Sequence, residues 1–105
     1  MNVLIVTFRL DGMSVAEYSR ACEESAPLFT AVPGLVAKVW LADPATNAYG
    51  GVYLFTSSDA VAAYLASDLF HRLAETPGLG GVTVDDFGVL ERPTSVTGRA
   101  IKVAA

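Results

Sequence analysis

Cysteine, histidine and tryptophan each occur once in this 105-residue sequence, as Cys22, His71 and Trp40. A lone cysteine excludes an internal disulfide framework and leaves a thiol suited to a reducing compartment, so a cytoplasmic protein is expected. One histidine and one cysteine, without carboxylates at ligand spacing, do not build a conventional metal cage, and no metal is expected. Neither Gly-x-Gly-x-x-Gly nor a Walker pattern is present, which removes support for a dinucleotide or ATP; the sequence predicts no cofactor. Charge is scarce as well, at 17% of residues with a net value of -4. No basic stripe is available to neutralise phosphates, so nucleic acid and anionic membrane are not expected partners. Met1 to Phe8 is apolar, but no cation precedes it and Arg9 follows at once, unlike a secretion signal. No apolar run reaches the ~18 residues of a membrane span.

Hydrophobic residues are abundant instead, at 52%, in a chain long enough for one core and too short for two. Val3 to Phe8 reads as a first strand ending at the turn pair Asp11-Gly12. Ser14 and Glu17 have capping-box spacing and start a helix with Val15, Tyr18, Cys22, Phe29 and Val32 along one face. Pro27 falls inside that pattern, which predicts a kink or a restart near Ser25. Pro33-Gly34 closes the helix, and Leu35 to Leu41 is a second strand whose only charge is Lys38. Asp43 to Asn47 makes a hairpin loop, and Gly51 to Thr56 is a third strand. Ser57, Ser58 and Asp59 cap a second helix, which Ser67-Asp68 interrupts so that a short separate helix runs to about Glu75. After the breakers Thr76 to Gly81, Val82 to Leu90 reads as a fourth strand. The domain spans residues 1–92, and residues 93–105 form a tail whose Ile101–Val103 segment is placed to dock on a partner subunit.

The order βαββαβ is the ferredoxin-like α+β pattern with a four-stranded antiparallel sheet. Its helices cover one face, so a solvated second face requires polar and apolar residues to alternate along each strand. Here Val3 to Val6 and Val52 to Phe55 run on without a break. Strands apolar on both sides need a second sheet, which only another copy of so short a chain supplies. A homodimer closed as an α/β barrel is the expected assembly, with a small hydrophobic or aromatic molecule as the other partner. The RNA-recognition motif shares the element order, but Tyr49-Gly50-Gly51-Val52 has no basic start and lacks the stacking aromatics.

Pro33-Gly34-Leu35, Lys38-Val39-Trp40, Gly50-Gly51-x-Tyr53-Leu54-Phe55-Thr56 and Ala63-Tyr64-Leu65 together resemble the YdhR-type monooxygenases of the dimeric α/β-barrel superfamily. The resemblance implies a monooxygenase, an oxidoreductase working without cofactor on an electron-rich quinol-like or anthrone-like substrate in an apolar pocket. It carries no fixed catalytic set, so candidates come from residue chemistry. An unperturbed imidazole suits proton transfer around neutrality, which makes His71 the candidate general base, and the phenols of Tyr53 and Tyr64 can hold a substrate anion; these three are the catalytic candidates. Tyr18, Trp40, Phe55, Phe70 and Arg72 are the substrate-binding candidates, with the Tyr18 phenol to hydrogen-bond a quinone or phenolate, Trp40 to stack a flat ligand and Arg72 to hold an anion. Each has a plainer role: packing for the aromatic residues, a solvated helix face for His71 and Arg72. Two alternatives stand beside the enzyme. One is a non-catalytic dimeric module that binds a hydrophobic ligand or regulates a partner. The other is a haem-binding or haem-degrading protein with His71 as axial ligand, weakened by the lack of an asparagine inside the first strand.

Overall fold

The computed structural model describes residues 1–98, in the order β1 Asn2–Leu10, α1 Val15–Phe29, β2 Leu35–Asp43, β3 Ala48–Phe55, α2 Ser58–Leu65, α3 Asp68–Ala74, β4 Leu79–Gly88 and α4 Glu91–Thr97. The four strands form one antiparallel sheet, ordered β2-β3-β1-β4. This is the ferredoxin-like α+β arrangement.

Local chemistry sets the helix starts. Ser14 Oγ accepts from the Glu17 N–H at 3.1 Å and Glu17 Oε1 accepts from the Ser14 N–H at 3.1 Å, closing both halves of the capping box. The same bonds hold the Glu17 carboxyl below its usual range. Ser57 caps α2 by accepting from the Ala60 N–H, and Ser67 caps α3 by accepting from the Phe70 N–H. The break at Ser67-Asp68 thus forms where the sequence places it.

Pro27 does not restart α1, which runs unbroken through it to Phe29. A proline there removes one N–H from the ladder, and the carbonyl it deprives belongs to Glu23, an exposed residue, so the loss falls where solvent has access. The helix ends before Val32, whose N–H turns back to the Phe29 carbonyl at 3.2 Å. The final strand starts three residues earlier than its apolar run suggests, because Leu79 and Gly80 pair with Leu10 and Arg9. Residues 91–97 form a helix, α4, which crosses the expected boundary between 92 and 93. Pro93 is compatible with it because a helix's first turn has no use for that N–H. The expected docking segment Ile101–Val103 lies outside the described residues.

Leu4, Val6 and Phe8 of β1 and Tyr49, Tyr53 and Phe55 of β3 face the helices and are buried against Tyr18, Phe29, Val61, Tyr64 and Phe70. The alternate residues face the other way. Val3, Ile5, Val52 and Leu54 are only partly covered there, and Val39 and Phe87 are 58% and 55% exposed. Thr7, Thr83 and Asp85 share that face along β1 and β4, so it is apolar over β2, β3 and the Val3–Phe87 end, and it has no covering layer within the described residues. No described helix is long and apolar enough to cross a membrane.

Candidate active site

The register of β2 on β3 places Lys38 opposite Tyr53 and Trp40 opposite Gly51. Directly opposed residues of an antiparallel pair share a face, so Lys38, Trp40 and Tyr53 all point toward the helices. Across from them α1 presents Tyr18, Cys22 and Phe29, and α3 presents Leu69, Arg72 and Leu73. Between these elements lies a cavity of about 280 Å³. Its wall carries two cationic side chains, Lys38 and Arg72, and no carboxylate among the described residues.

Lys38 reaches into this space through an aromatic cage. Its Nζ is 3.4 Å from the ring centroid of Trp40, 3.6 Å from that of Phe29 and 4.7 Å from that of Tyr53. Phe29 and Trp40 meet edge to face, with centroids 5.3 Å apart, which fixes the angle of the cage. Gly51 makes room for the lysine stem, because a Cβ there would lie 2.9 Å from Lys38 Cε. The π faces favour an ammonium, but they also strip it of water, and the loss of hydration dominates. Burial lowers the Lys38 pKa to about 7, with the nearby Cys22 opposing the shift slightly. Lys38 is therefore shared between amine and ammonium near neutral pH.

The neighbouring groups behave differently. The Tyr53 and Tyr64 hydroxyls are 3.0 Å apart, one donating to the other, with ring centroids at 5.1 Å. Burial pushes both phenols up, so each keeps its proton at neutral pH. Burial likewise raises the Tyr18 phenol, to which the Cys22 thiol adds, and it raises Cys22. Among these groups only the lysine amine offers a lone pair for accepting a proton.

Of the residues singled out by sequence, Tyr18, Trp40, Tyr53 and Arg72 line the cavity. Tyr64 stands behind Tyr53 and touches the cavity only through that phenol bond. Phe55 is fully buried against Tyr53 and Tyr64, and Phe70 packs edge-on against Tyr64; neither lines the cavity. His71 is exposed and is not part of the wall, because one residue along α3 turns the side chain about 100° away from Arg72. Asn2 proves to be the first residue of β1, with its amide donating to Asp86 at 3.2 Å. Lys38 and Phe29 were missed as site residues. The signal for Lys38 was present, since a lone charge in an apolar strand that shares a face with Trp40 must either be neutralised or serve a purpose.

The sequence model of the family described as "Putative mono-oxygenase ydhR" matches residues 3–100. No curated protein matches the chain. Among solved structures, the haem degrader MhuD of Mycobacterium tuberculosis, with two haems bound, aligns at TM-score 0.69 and 18% identity over 86% of this chain and 96% of that one. SnoaB of Streptomyces nogalater, a cofactor-independent oxygenase, aligns as its N63A mutant at TM-score 0.66 and 24% identity over 86% and 93%. A protein of Deinococcus radiodurans described as a "putative antibiotic biosynthesis monooxygenase" aligns at TM-score 0.70 and 10% identity over 85% and 92%. At these identities the structures share the fold.

Proposed function

The chain belongs to the YdhR mono-oxygenase family, and on that footing we propose that it oxidises a flat aromatic or polycyclic substrate of the anthrone or quinol type without a cofactor. The observation that supports this most is Lys38, a partly neutral amine held inside an aromatic-walled cavity that has no carboxylate. Its lone pair takes a proton from a phenol or an acidic C–H of the substrate. The ammonium so formed, with Arg72 at the exposed rim, holds the substrate anion, and the protonated Tyr18 and Tyr53 donate to it. The anion gives electrons to dioxygen; with an anthrone, a CH₂ becomes a carbonyl and the second oxygen leaves as water. We assign the base to Lys38 and not to His71, which faces solvent.

A panel of anthrones and quinols followed by oxygen uptake tests this. Uptake above buffer, with a product that has gained one oxygen and lost two hydrogens, is the expected result. Binding without uptake would instead leave a non-catalytic ligand-binding or regulatory module. His71→Ala is expected to retain uptake close to wild type. A haem held in this cavity does not fit the residues present, because His71 lies outside the wall and no imidazole reaches inward. Hemin titration of wild type and His71→Ala is expected to give the same spectra, whereas a Soret shift abolished by that substitution would restore the haem assignment.

The working form is proposed to be a homodimer in the cytoplasm, whose two bare sheet faces meet to close a barrel. Val39 offers a sharp test, since it is 58% exposed in the protomer and tolerates a polar substitution there. In the dimer, Val39→Glu would bury a carboxylate with no partner, at a cost of several kcal/mol. Sedimentation is expected to show a wild-type dimer at micromolar concentration and a Val39→Glu monomer. A monomeric wild type would remove the barrel.

A further inference from the structure

We propose that Lys38 is also an imine-forming amine, which condenses with the carbonyl carbon of a flat apolar aldehyde, ketone or 1,3-dicarbonyl compound bound in the cavity. This rests on the ligand cavity of the preceding section but not on its oxygen chemistry.

The geometry carries the inference. Lys38 Nζ lies in a cage of Trp40, Phe29 and Tyr53, whose faces also suit a planar ligand. The charged or titratable groups around it are Tyr18 and Cys22 from α1, Tyr53 from β3 and Arg72 from α3. None of these is a carboxylate, so no ion pair locks the nitrogen in its cationic form. A lysine desolvated in this way exposes a lone pair at neutral pH, which an ordinary surface lysine hides behind its proton. Cys22 is the less suitable nucleophile, because burial raises its pKa and keeps the thiol protonated.

The chemistry balances without an oxidant. The Nζ lone pair attacks the carbonyl carbon, and the C=O π pair moves to oxygen. A proton passes from nitrogen to that oxygen, giving a carbinolamine. The hydroxyl then takes a proton from water at the open rim and leaves as water, and the hydroxide so formed takes the nitrogen's remaining proton, leaving an imine. A 1,3-dicarbonyl ligand relaxes further to a conjugated enaminone, which absorbs in the near ultraviolet.

Only two lysines occur in the chain, Lys38 and Lys102, so selectivity is directly readable. At pH 7.5 an ordinary lysine is neutral in about one molecule per thousand, and a group near 7 is mostly neutral. Allowing for the weaker nucleophilicity of a less basic amine, Lys38 is expected to react on the order of 100-fold faster than N-acetyl-lysine. The probes are benzoylacetone, read by absorbance, and 2-naphthaldehyde with cyanoborohydride, read by intact mass and peptide mapping. One adduct per chain on the Lys38 peptide is expected, and none there in Lys38→Arg or Lys38→Met, each checked for native circular dichroism. Labelling of Lys102 or the N-terminus at rates equal to or above Lys38 overturns the proposal. So does the absence of a Lys38 adduct, whether or not quenching of Trp40 fluorescence shows the probe bound. An adduct without oxygen uptake keeps the imine and removes the oxygenase; uptake without an adduct does the reverse.

Discussion

Lys38→Met is expected to lower substrate-dependent oxygen uptake by about 10²–10⁴-fold, the usual worth of a positioned general base, while the protein stays folded. The methionine fills nearly the same volume and packs against the same three rings, so the loss reads proton transfer and not collapse. The pH profile distinguishes a base from a merely structural lysine. With its pKa near 7, Lys38 is protonated and idle in acid, so kcat/KM in the wild type is expected to rise with pH through about 7 and then level. Burial raises Tyr18, Cys22 and Tyr53, which face the same space, so they stay protonated as the pH passes about 7. The profile therefore belongs to one group. Stability follows the same linkage. Below about 7 both folded and unfolded chains carry the charge, and the fold bears the full cost of burying it. Between about 7 and the ordinary lysine value of ~10.4 the unfolded chain binds the extra proton, so stability rises with pH. Lys38→Met should remove that slope in thermal melts and be the more stable protein in acid. A wild-type profile flat from pH 6 to 9, or a Lys38→Met variant with normal uptake, would falsify the role given to this residue.

Gly50→Ala is expected to abolish folding. Gly50 has φ +143°, in the range that L side chains rarely adopt, and it pairs with Thr7 of β1 and Leu41 of β2. An added Cβ would penetrate the Val6 carbonyl oxygen and press on Thr7 Cα. These are backbone atoms of the strand next to β3, so no side-chain rotation relieves the overlap. Relief requires separating β1 from β3, on which six of the core residues sit. A cost above about 4 kcal/mol consumes much of the ~5–15 kcal/mol that holds a domain together. The outcome is insoluble protein or the loss of a cooperative melt. Gly88→Ala supplies the control, since a Cβ there meets nothing within 4 Å. Its effect is expected within about 0.5 kcal/mol.

The elements were legible where their cause is local. Ser14 and Glu17 stand three residues apart whatever the rest of the chain does, and so do Ser57 with Ala60 and Ser67 with Phe70. The unbroken apolar runs in β1 and β3 likewise required a sheet without a simple solvated face. Pro27 does not restart the helix, because a proline's effect depends on which carbonyl loses its donor and whether that carbonyl is exposed. Helix α4 was invisible because its residues lack an apolar stripe, and none of them is buried.

The site was legible only in part, for a related reason. Residue type nominated His71, since imidazole is the commonest general base; position then placed it in solvent, outside the cavity wall. Lysine ordinarily titrates far from neutrality, so residue type passed Lys38 over, although its lone charge in an apolar strand beside Trp40 marked the position. Residue order alone determined the element order as far as β4, the starts of α1, α2 and α3 and the apolar runs of β1 and β3, because each follows from neighbours along the chain. The neutral amine and its cavity were decided by Phe29, Trp40 and Tyr53 converging from a helix and two strands. Removal of water from one nitrogen is a property of that three-dimensional enclosure, and no spacing in the sequence encodes it.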